Sequence, residues 1–548
     1  MSGVPTVITE PLGGSRLARD AAAGLLDEWY GRRPASPAAW RTHLEGVRAG
    51  MGSATWLDAL RPALGESVAA GAAGARLARA AASGVVVTTG QQPGLFGGPV
   101  YTWSKALAAR ALADELERAT GVPVAPVFWA ATDDADFAEA SVTSVAVPGG
   151  AEELRIAPTA PEATPMSAVP LGDDVVAAFE RLHGGAGSAA FGGLYWSVVR
   201  DAYAPGVTVG GAYVRLLRAL LEPLGVAVLD ASHPATRAAA DATLRAALRR
   251  ASAVDQALAR RSAEIEARGY AVQVPPVAGL ALAFVDDAGA KRRARLDEAA
   301  ALAEAAAPGS LGPNVLLRPV VERAILPSAA YVAGPGELSY FAQVGAVAQA
   351  LGAAAPLAVP RWSCTILEPH VARLLARHGL EIAELEAPHA AESRLARRAL
   401  PAPVGDALRA LRESLRDGVV DLRAARDSAR DAARTREGAD DPLLPDAVLE
   451  GAARALEHRV GRLERRALAG VKRQERELMR DVATARGALF PGGKRQERAL
   501  NLLPMLARHG PSLVDAMAAR AAEHAASLVA GGPAAARTRE AELGVAAG

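Results

Sequence analysis

The spacing of apolar residues changes several times along this chain, and each change predicts a different kind of element. Helical spacing, with apolar positions three and four residues apart, recurs within residues 1–83. A short β-branched run at 85–89 then predicts a buried strand. Helical spacing returns at 101–120, and a second apolar run at 123–130 predicts another strand. This strand–helix–strand order predicts a right-handed crossover in a parallel sheet.

A different period governs a long stretch of the C-terminal half. From Leu408 to Ala425, and again from Leu449 to Val482, apolar residues alternate at spacings of four and three between Arg and Glu. Such a heptad seam is typical of a coiled coil. A turn signal, Gly438–Pro442, separates the two seams, and we therefore predict an antiparallel coiled-coil hairpin.

Composition narrows the class of protein. The 548 residues carry a formal net charge of +1, which removes the usual electrostatic basis for binding nucleic acid. The single cysteine, Cys364, excludes an intramolecular disulfide and indicates a reducing, cytoplasmic compartment. We interpret Cys364 as a core residue rather than a nucleophile. The uncharged stretches 80–104 and 338–360 are long enough to cross a bilayer, but their glycines, prolines and glutamines favour buried strands and helices.

The first candidate site is the glycine-rich loop that follows the strand at 85–89. Its glycines allow a ligand to approach the backbone, and the next helix presents free N–H groups there. Ligands of open α/β sheets bind at the carboxyl ends of strands. A tight structural turn is the alternative. The candidate residues are Gly90, Gln91, Gln92, Tyr101 and Lys105.

Three carboxylates follow the second strand. Asp133, Asp134 and Asp136 stand close together in sequence, where they could raise one another's pKa, bind a divalent cation or receive an amine. A loop with helix caps is the alternative interpretation.

Two further segments carry candidate binding groups. A Gly-Pro-Gly turn opens a helix that bears Glu337, Tyr340 and Gln343 along one side, while Asn314, Arg318 and Arg361 could hold a carboxylate. The alternative for the helix is a solvated face. A glycine turn at 492–493 opens a segment that could bind phosphates or could be a solvated helix start; its candidates are Lys494, Arg495, Gln496, Arg498 and Asn501.

Several of these segments together resemble one family. The motifs are Thr89–Thr102 (TGQQPGLFGGPVYT), Pro126–Trp129, Asn314–Pro319, Tyr331–Glu337, Pro360–Arg361 and Gln496–Arg498, in that order. In these motifs the chain resembles the cysteine-adding enzyme family of bacillithiol biosynthesis. The resemblance implies an amide-forming ligase that joins L-cysteine to the amine of glucosaminyl-malate in the last step. It also implies an α/β fold: a Rossmann-like parallel-sheet core with inserted connective segments, plus a long antiparallel α-helical coiled coil that makes a homodimer.

From the sequence pattern and this resemblance together, we predict that the chain is divided into four segments. They are an N-terminal helical segment packing on the core (1–83), the Rossmann-like core (84–370) with inserts at about 145–210 and 236–312, the coiled-coil hairpin (371–487), and a C-terminal helical segment returning to the core (488–548).

The predicted site residues fall into three groups. The catalytic candidates are Lys105, Asp134 and Asp136. The substrate-binding candidates are Gly90, Gln91, Gln92, Tyr101, Asp133, Asn314, Arg318, Glu337, Tyr340, Gln343 and Arg361. The nucleotide-binding candidates, in a second site implied by the resemblance, are Lys494, Gln496, Glu497, Arg498 and Asn501. We expect ATP or ADP and Mg²⁺ as reaction partners, with no resident metal site, no tightly bound organic cofactor, and no nucleic-acid or membrane partner.

One departure from the family pattern leaves alternatives open. The family has Glu-Asp-His-Asp where this chain has Asp133-Asp134-Ala135-Asp136, so a histidine is missing. The synthetase-type HxGH signature is absent as well. One alternative is a nucleotide-binding coiled-coil dimer that acts as a scaffold or sensor. The other is a ligase that joins a different amino acid to an amino-sugar.

Overall fold

The computed structural model describes residues 3–51, 55–65, 71–187, 189–287, 289–387, 389–433 and 444–532. The strands within these residues are β1 (Thr6–Thr9), β2 (Val85–Gln91), β3 (Val124–Ala130), β4 (Val142–Val147), β5 (Gly150–Arg155), β6 (Ala227–Asp230), β7 (Leu280–Asp287), β8 (Ala290–Arg295), β9 (Leu311–Pro313), β10 (Ser328–Ala333), β11 (Ala358–Pro360) and β12 (Cys364–Leu367). The helices are α1 (Arg16–Ala22), α2 (Asp27–Tyr30), α3 (Pro37–Gly50), α4 (Trp56–Leu64), α5 (Ala72–Ser83), α6 (Val100–Thr120), α7 (Phe137–Ala140), α8 (Asp174–Gly185), α9 (Gly192–Ala202), α10 (Val209–Leu221), α11 (Pro234–Arg249), α12 (Ala251–Ala267), α13 (Ala299–Ala305), α14 (Arg318–Ile325), α15 (Pro335–Leu351), α16 (Pro369–His378), α17 (Ala390–Arg398), α18 (Ala402–Ala433), α19 (Asp446–Gln474), α20 (Arg476–Leu489), α21 (Leu503–His509) and α22 (Pro511–Val529).

The chain divides into two compact units. The core unit contains Met1–Ala146, Glu152–Pro369 and Lys494–Gly548, and the coiled-coil unit contains Val147–Ala151 and His370–Gly493. The described residues 494–532 therefore belong with the core unit.

A five-stranded parallel sheet forms the centre of the core unit, in the order β11-β10-β2-β3-β6. Strands β2 and β3 pair in register from Val85 opposite Val124 to Gln91 opposite Ala130. Apolar side chains of both strands are fully buried, as expected for a parallel sheet covered on both faces. The predicted strand–helix–strand unit is confirmed as β2, α6 and β3.

The glycine-rich loop between β2 and α6 folds tightly on itself. A Cβ atom at Gly94 would lie 2.7 Å from the Cα atom of Gly98, and Gly98 itself has a φ of +77°. The side-chain amide of Asn501 donates a hydrogen bond to the carbonyl of Phe96 at 3.0 Å and makes longer ones nearby. The C-terminal segment thus fixes this loop.

The N-terminal segment, predicted as helical, also contains a strand that the sequence pattern did not reveal. Strand β1 pairs antiparallel with β12, with Thr6 opposite Leu367. Four residues are too few for a periodic signal, and the partner strand is more than 350 residues away along the chain.

The two uncharged stretches form buried parts of the core unit. Residues 80–104 contribute β2, its loop and the start of α6, and residues 338–360 contribute most of α15 together with β11. Across the described ranges, no helix is both long and apolar enough to cross a membrane.

The coiled-coil unit contains the predicted hairpin. Arg412 of α18 pairs with Glu464 of α19, whereas Arg426 pairs with Asp446, so the two helices run antiparallel. The predicted turn at 438–442 lies outside the described residues. The second seam was predicted to continue unbroken to Val482, but this was wrong, because the helix is interrupted at Glu475 by a non-helical ψ of 56°.

Candidate active site

The carboxyl ends of four central strands surround one large cavity of about 790 Å³ in the core unit. Gly90 and Gln91 come from the end of β2, while Ala131 and Asp133 follow β3. The loops after β10 and β11 add further lining residues. This edge of the sheet is where open α/β folds bind their ligands.

Most of the predicted site residues line this cavity. They are Gly90, Gln91, Gln92, Tyr101, Lys105, Asp133, Asp134, Asp136, Asn314, Arg318, Glu337, Tyr340, Arg361 and Arg498. Six other candidates do not line it: Gln343, Lys494, Arg495, Gln496, Glu497 and Asn501. The sequence motifs therefore converge in one place, although they are far apart along the chain.

The buried Lys105 and the partly buried Glu337 form an ion pair in the cavity, with 2.6 Å between Lys105 Nζ and Glu337 Oε2. The ammonium also donates to the carbonyl of Gly90 at 2.6 Å and to Gln91 Oε1 at 3.0 Å. Because an ammonium has three N–H donors, all of them are engaged within the protein. Lys105 therefore holds the end of β2 in place.

Glu337 is the acceptor at the centre of this cluster. It accepts hydrogen bonds from the backbone N–H of Gly334 at 2.7 Å and from the Tyr331 hydroxyl at 2.5 Å. Burial raises the pKa of Glu337, but the charges of Lys105 and Arg318 outweigh burial, so its net pKa lies below the usual value. The carboxylate is therefore ionised at neutral pH.

Arg318 completes the cluster from α14. It pairs with Glu322 at 2.9 Å and donates to the hydroxyls of Tyr331 and Tyr340, each at 3.1 Å. We call Lys105, Arg318, Tyr331, Glu337 and Tyr340 the floor cluster. Its polar groups are satisfied mainly by one another, which makes it a rigid base for the cavity.

The loop after β3 supplies the acidic wall, formed by Asp133, Asp134, Asp136 and Glu139. Burial, and then the negative charges of Asp133 and Asp136, raise the pKa of Asp134, although the N–H of Asp136 bonds its Oδ1 at 2.9 Å. Asp136 itself accepts the N–H of Glu139 at 3.0 Å and caps α7. Asp134 is thus poised to accept a proton nearer neutral pH than an ordinary aspartate does.

Glu139 was not among the residues predicted from sequence. Its carboxylate accepts hydrogen bonds from Gln92 Nε2 at 2.6 Å and from the Tyr101 hydroxyl at 3.2 Å. Desolvation in the cavity, followed by the charges of Asp136 and Asp134, raises the pKa of Glu139. Its position one helical turn after Asp136 was the signal that could have identified it.

Cationic groups line the same cavity. Lys291 lies 3.5 Å from Asp133 Oδ2 and also donates to the Asp133 carbonyl. Arg293 donates its Nε to the carbonyl of Ala281 at 2.8 Å, and Arg498 is exposed at the cavity. Lys291 and Arg293 come from the β7–β8 hairpin and were missed. The only sequence signal was the rarity of lysine, of which the chain has four.

Arg361 was a candidate for holding a substrate carboxylate, but its guanidinium is already engaged by a carboxylate of the protein. It binds Glu497 through two hydrogen bonds of 2.9 and 2.7 Å, and both side chains are buried. Glu497 also accepts from the Ser363 hydroxyl at 2.8 Å. The pair therefore connects the C-terminal segment to the loop directly after β11.

Other predicted residues also bond to the protein itself. Gln343 donates to the carbonyl of Val274 at 2.8 Å, and Val274 in turn lines the cavity. Gln496 is buried and bonds the backbone of Ile366 in both directions. Of the nucleotide-binding candidates, only Lys494 and Arg498 are exposed.

Two further predictions concern reactive and metal-binding groups. Cys364 is buried, and burial together with the charge of Glu497 raises the pKa of its thiol, so it is not a thiolate nucleophile. Among the residues that the structure describes, no group of three or more histidine, cysteine, aspartate or glutamate side chains is arranged to hold a metal ion.

A Rossmann-like sheet with a large, charged cavity at its carboxyl edge is typical of α/β enzymes that act on small polar molecules. Comparison with known families is more specific. The model of the bacillithiol biosynthesis BshC N-terminal Rossmann-like domain matches residues 25–362, and that of the BshC C-terminal coiled-coil domain matches residues 439–526. The chain belongs to the BshC family of bacillithiol biosynthesis.

Curated relatives carry the name "Putative cysteine ligase BshC". The relative from Solibacter usitatus is 35% identical over 80% of this chain and 82% of its own length. The relative from Koribacter versatilis is 32% identical over 85% and 86%, and the one from Salinibacter ruber is 30% identical over 79% and 80%. The predicted family and the Rossmann-like core with a coiled coil are confirmed, and the chain is an enzyme of the ligase class.

Proposed function

We propose that this ligase joins the carboxyl group of L-cysteine to the free amine of glucosaminyl-malate, the last step of bacillithiol biosynthesis. The observation that carries the proposal is the cavity itself. It is lined both by carboxylates with a raised pKa and by cationic side chains. An amine that attacks a carbonyl needs an acceptor for its proton, and the two carboxylates of the malate group need cations to bind them.

The acidic wall supplies the proton acceptor in this proposal. The acceptor amine reaches the site as an ammonium, which the carboxylates attract. Asp134 takes one proton from the ammonium, and the neutral amine then attacks the activated cysteine carbonyl. The nitrogen loses its second proton to solvent as the activating group leaves, and the amide forms. Burial and the negative charges of Asp133 and Asp136 keep the pKa of Asp134 high.

The cationic side chains bind the carboxylates of the malate group. Arg498 and Arg293 line the cavity, and the structure shows no ion pair for either among the described residues. Arg361 does not have this role in our proposal, because Glu497 occupies its guanidinium. Lys105 positions Gly90 and Gln91 rather than contacting a substrate.

The cysteine carboxylate must be activated before an amine can attack it. We propose that ATP with Mg²⁺ provides this activation, as an acyl-adenylate with release of pyrophosphate or as an acyl-phosphate with release of ADP. Lys494 is the exposed cation of the predicted nucleotide segment that we assign to the phosphates, since Arg498 is assigned to the malate group. A cytoplasmic location agrees with the single buried cysteine.

We also propose that the enzyme is a homodimer formed through the coiled-coil unit. Leu411 and Leu422 are 45% and 46% exposed on α18, and Leu456 and Leu463 are 44% and 50% exposed on α19. The two leucines of each pair lie on one side of their helix. Replacing Leu456 and Leu463 with serine should yield monomers in sedimentation velocity, with the core unit still folded; an unchanged mass would contradict the dimer contact.

A reaction assay tests the main proposal. Purified enzyme would be mixed with glucosaminyl-malate, cysteine, ATP and Mg²⁺, and the products followed by mass spectrometry. Bacillithiol with AMP supports the adenylate route, and bacillithiol with ADP supports the acyl-phosphate. A parallel panel of serine, alanine and homocysteine tests the amino-acid specificity. Exclusive ligation of another amino acid, or no amide product with any of them, would overturn the proposal.

A further inference from the structure

A second cavity lies at the opposite end of the central sheet. It has a volume of about 240 Å³ and is lined by residues of α3, α14 and the start of β10, with Ala355 and Leu357 beside them. Ser328 at the first position of β10 lines this cavity, whereas Gly334 and Glu337, just beyond the end of the same strand, line the candidate active site. The six residues of β10 separate the two cavities by about 20 Å.

The feature that distinguishes this cavity is Arg323. Arg323 is only 9% exposed, yet no described residue forms an ion pair or hydrogen bond with its guanidinium. Burial alone lowers its pKa. Every other strongly buried cation described above has a partner carboxylate or carbonyl. Burying an unpaired charge is costly, so a missing counter-charge is the natural explanation.

The rest of the lining favours an anion. None of the eight residues around the cavity is acidic. His43 lies there as well, and its Nε2–H donates to the carbonyl of Ala329 at 2.7 Å, while its Nδ1 bonds to no described residue. In the neutral ring Nδ1 is an acceptor, so His43 would donate to an anion only when protonated. Burial lowers the pKa of His43, and the positive charge of Arg323 lowers it further, because the two groups face the same cavity.

We infer that this cavity is a binding site for a small oxyanion, with Arg323 as the principal ligand-binding residue. The guanidinium offers two parallel N–H donors to phosphate or carboxylate oxygens, and His43 lies beside it. The site is separate from the candidate active site and does not depend on the reaction proposed above.

Two probes identify the anion class, inorganic phosphate and succinate, each titrated calorimetrically into the full-length protein with ionic strength held constant by NaCl. At least one of them should bind at a site that R323Q weakens about tenfold or more, since a hydrogen bond to a charged group contributes on that order. R48Q is the matched control, because Arg48 is exposed on the same helix as His43. Equal binding by wild type and R323Q, or no binding of either anion, would overturn the inference.

A second pair of variants does not depend on R323Q folding. Gly46 lines the cavity, and a Cβ atom built there meets no heavy atom within 4 Å. G46D would place a carboxylate in the cavity, while G46N adds an uncharged side chain of the same size and of similar helix propensity. G46D should melt at a higher temperature than G46N and lose the Arg323-dependent anion binding. A lower melting temperature with anion binding intact would count against the site.

Discussion

The floor cluster and the acidic wall of the active-site cavity contain the same kinds of side chain but differ in how these are satisfied. In the floor cluster, Lys105 has acceptors for all three of its protons, and Glu337 accepts from three donors. In the wall, Asp134 accepts one backbone N–H and has a raised pKa. Charged groups that are fully paired shape a site, and those left with spare capacity do its chemistry.

The largest expected effect comes from breaking the floor cluster. K105M would leave Glu337 buried beside its remaining donors without its closest cation, and we expect a loss of about 3–5 kcal/mol in the free energy of unfolding. The measurement is denaturant unfolding monitored by circular dichroism. K494M is the matched control, since Lys494 is exposed, and it should unfold like the wild type. The double variant K105M/E337L should recover part of the lost stability; no recovery would mean that the pair is not the cause.

The sequence pattern predicted which residues meet at the candidate site where those residues are close to strand ends. Gly90, Gln91 and Asp134 could be placed because an alternation of strand and helix predicts which loops meet at one edge of a sheet. What it could not show was pairing across long distances. Arg361 and Glu497 are 136 positions apart, and only the folded chain shows that the guanidinium of one is hydrogen-bonded to the carboxylate of the other.

Sequence reasoning also missed the cavity residues that inserted elements contribute, because these too depend on contacts between distant parts of the chain. Lys291 and Arg293 reach the cavity on the β7–β8 hairpin, whose position relative to the sheet no local pattern specifies. Strand β1 was also missed, because four residues pairing with a distant strand leave no periodic signal. The central sheet and the hairpin of the coiled coil, by contrast, have strong local patterns and were predicted correctly.

The next largest effect distinguishes the wall from the floor cluster. D134N should lower kcat of the proposed ligation about 10²–10⁴-fold, because the proton acceptor is lost. Its stability should not fall: burial raises the pKa of Asp134, so at neutral pH the ionised carboxylate costs folding free energy that asparagine does not. Kinetics and thermal melting on one preparation measure both. A loss of stability as large as that of K105M would assign Asp134 to the floor cluster instead.

A smaller effect is expected from the cationic side of the cavity. R498Q should raise KM for glucosaminyl-malate about tenfold while kcat and the melting temperature change little, because Arg498 is exposed and binds the ground state and transition state alike. Steady-state kinetics with both substrates measure this. If KM for ATP rises instead, Arg498 belongs to the nucleotide, and the malate group is bound elsewhere.

The smallest expected effect concerns the tuning of Asp134 by its neighbour. Asp136 raises the pKa of Asp134 through like charge, so the rate of the wild type should fall as pH drops through a value above that of an ordinary aspartate. D136N keeps a side chain that caps α7 and removes one charge. The acid limb of the pH–rate profile should then shift to lower pH by a few tenths of a unit, with the plateau rate within about threefold of the wild type. A collapse of the plateau would instead make Asp136 the proton acceptor and Asp134 the residue that tunes it.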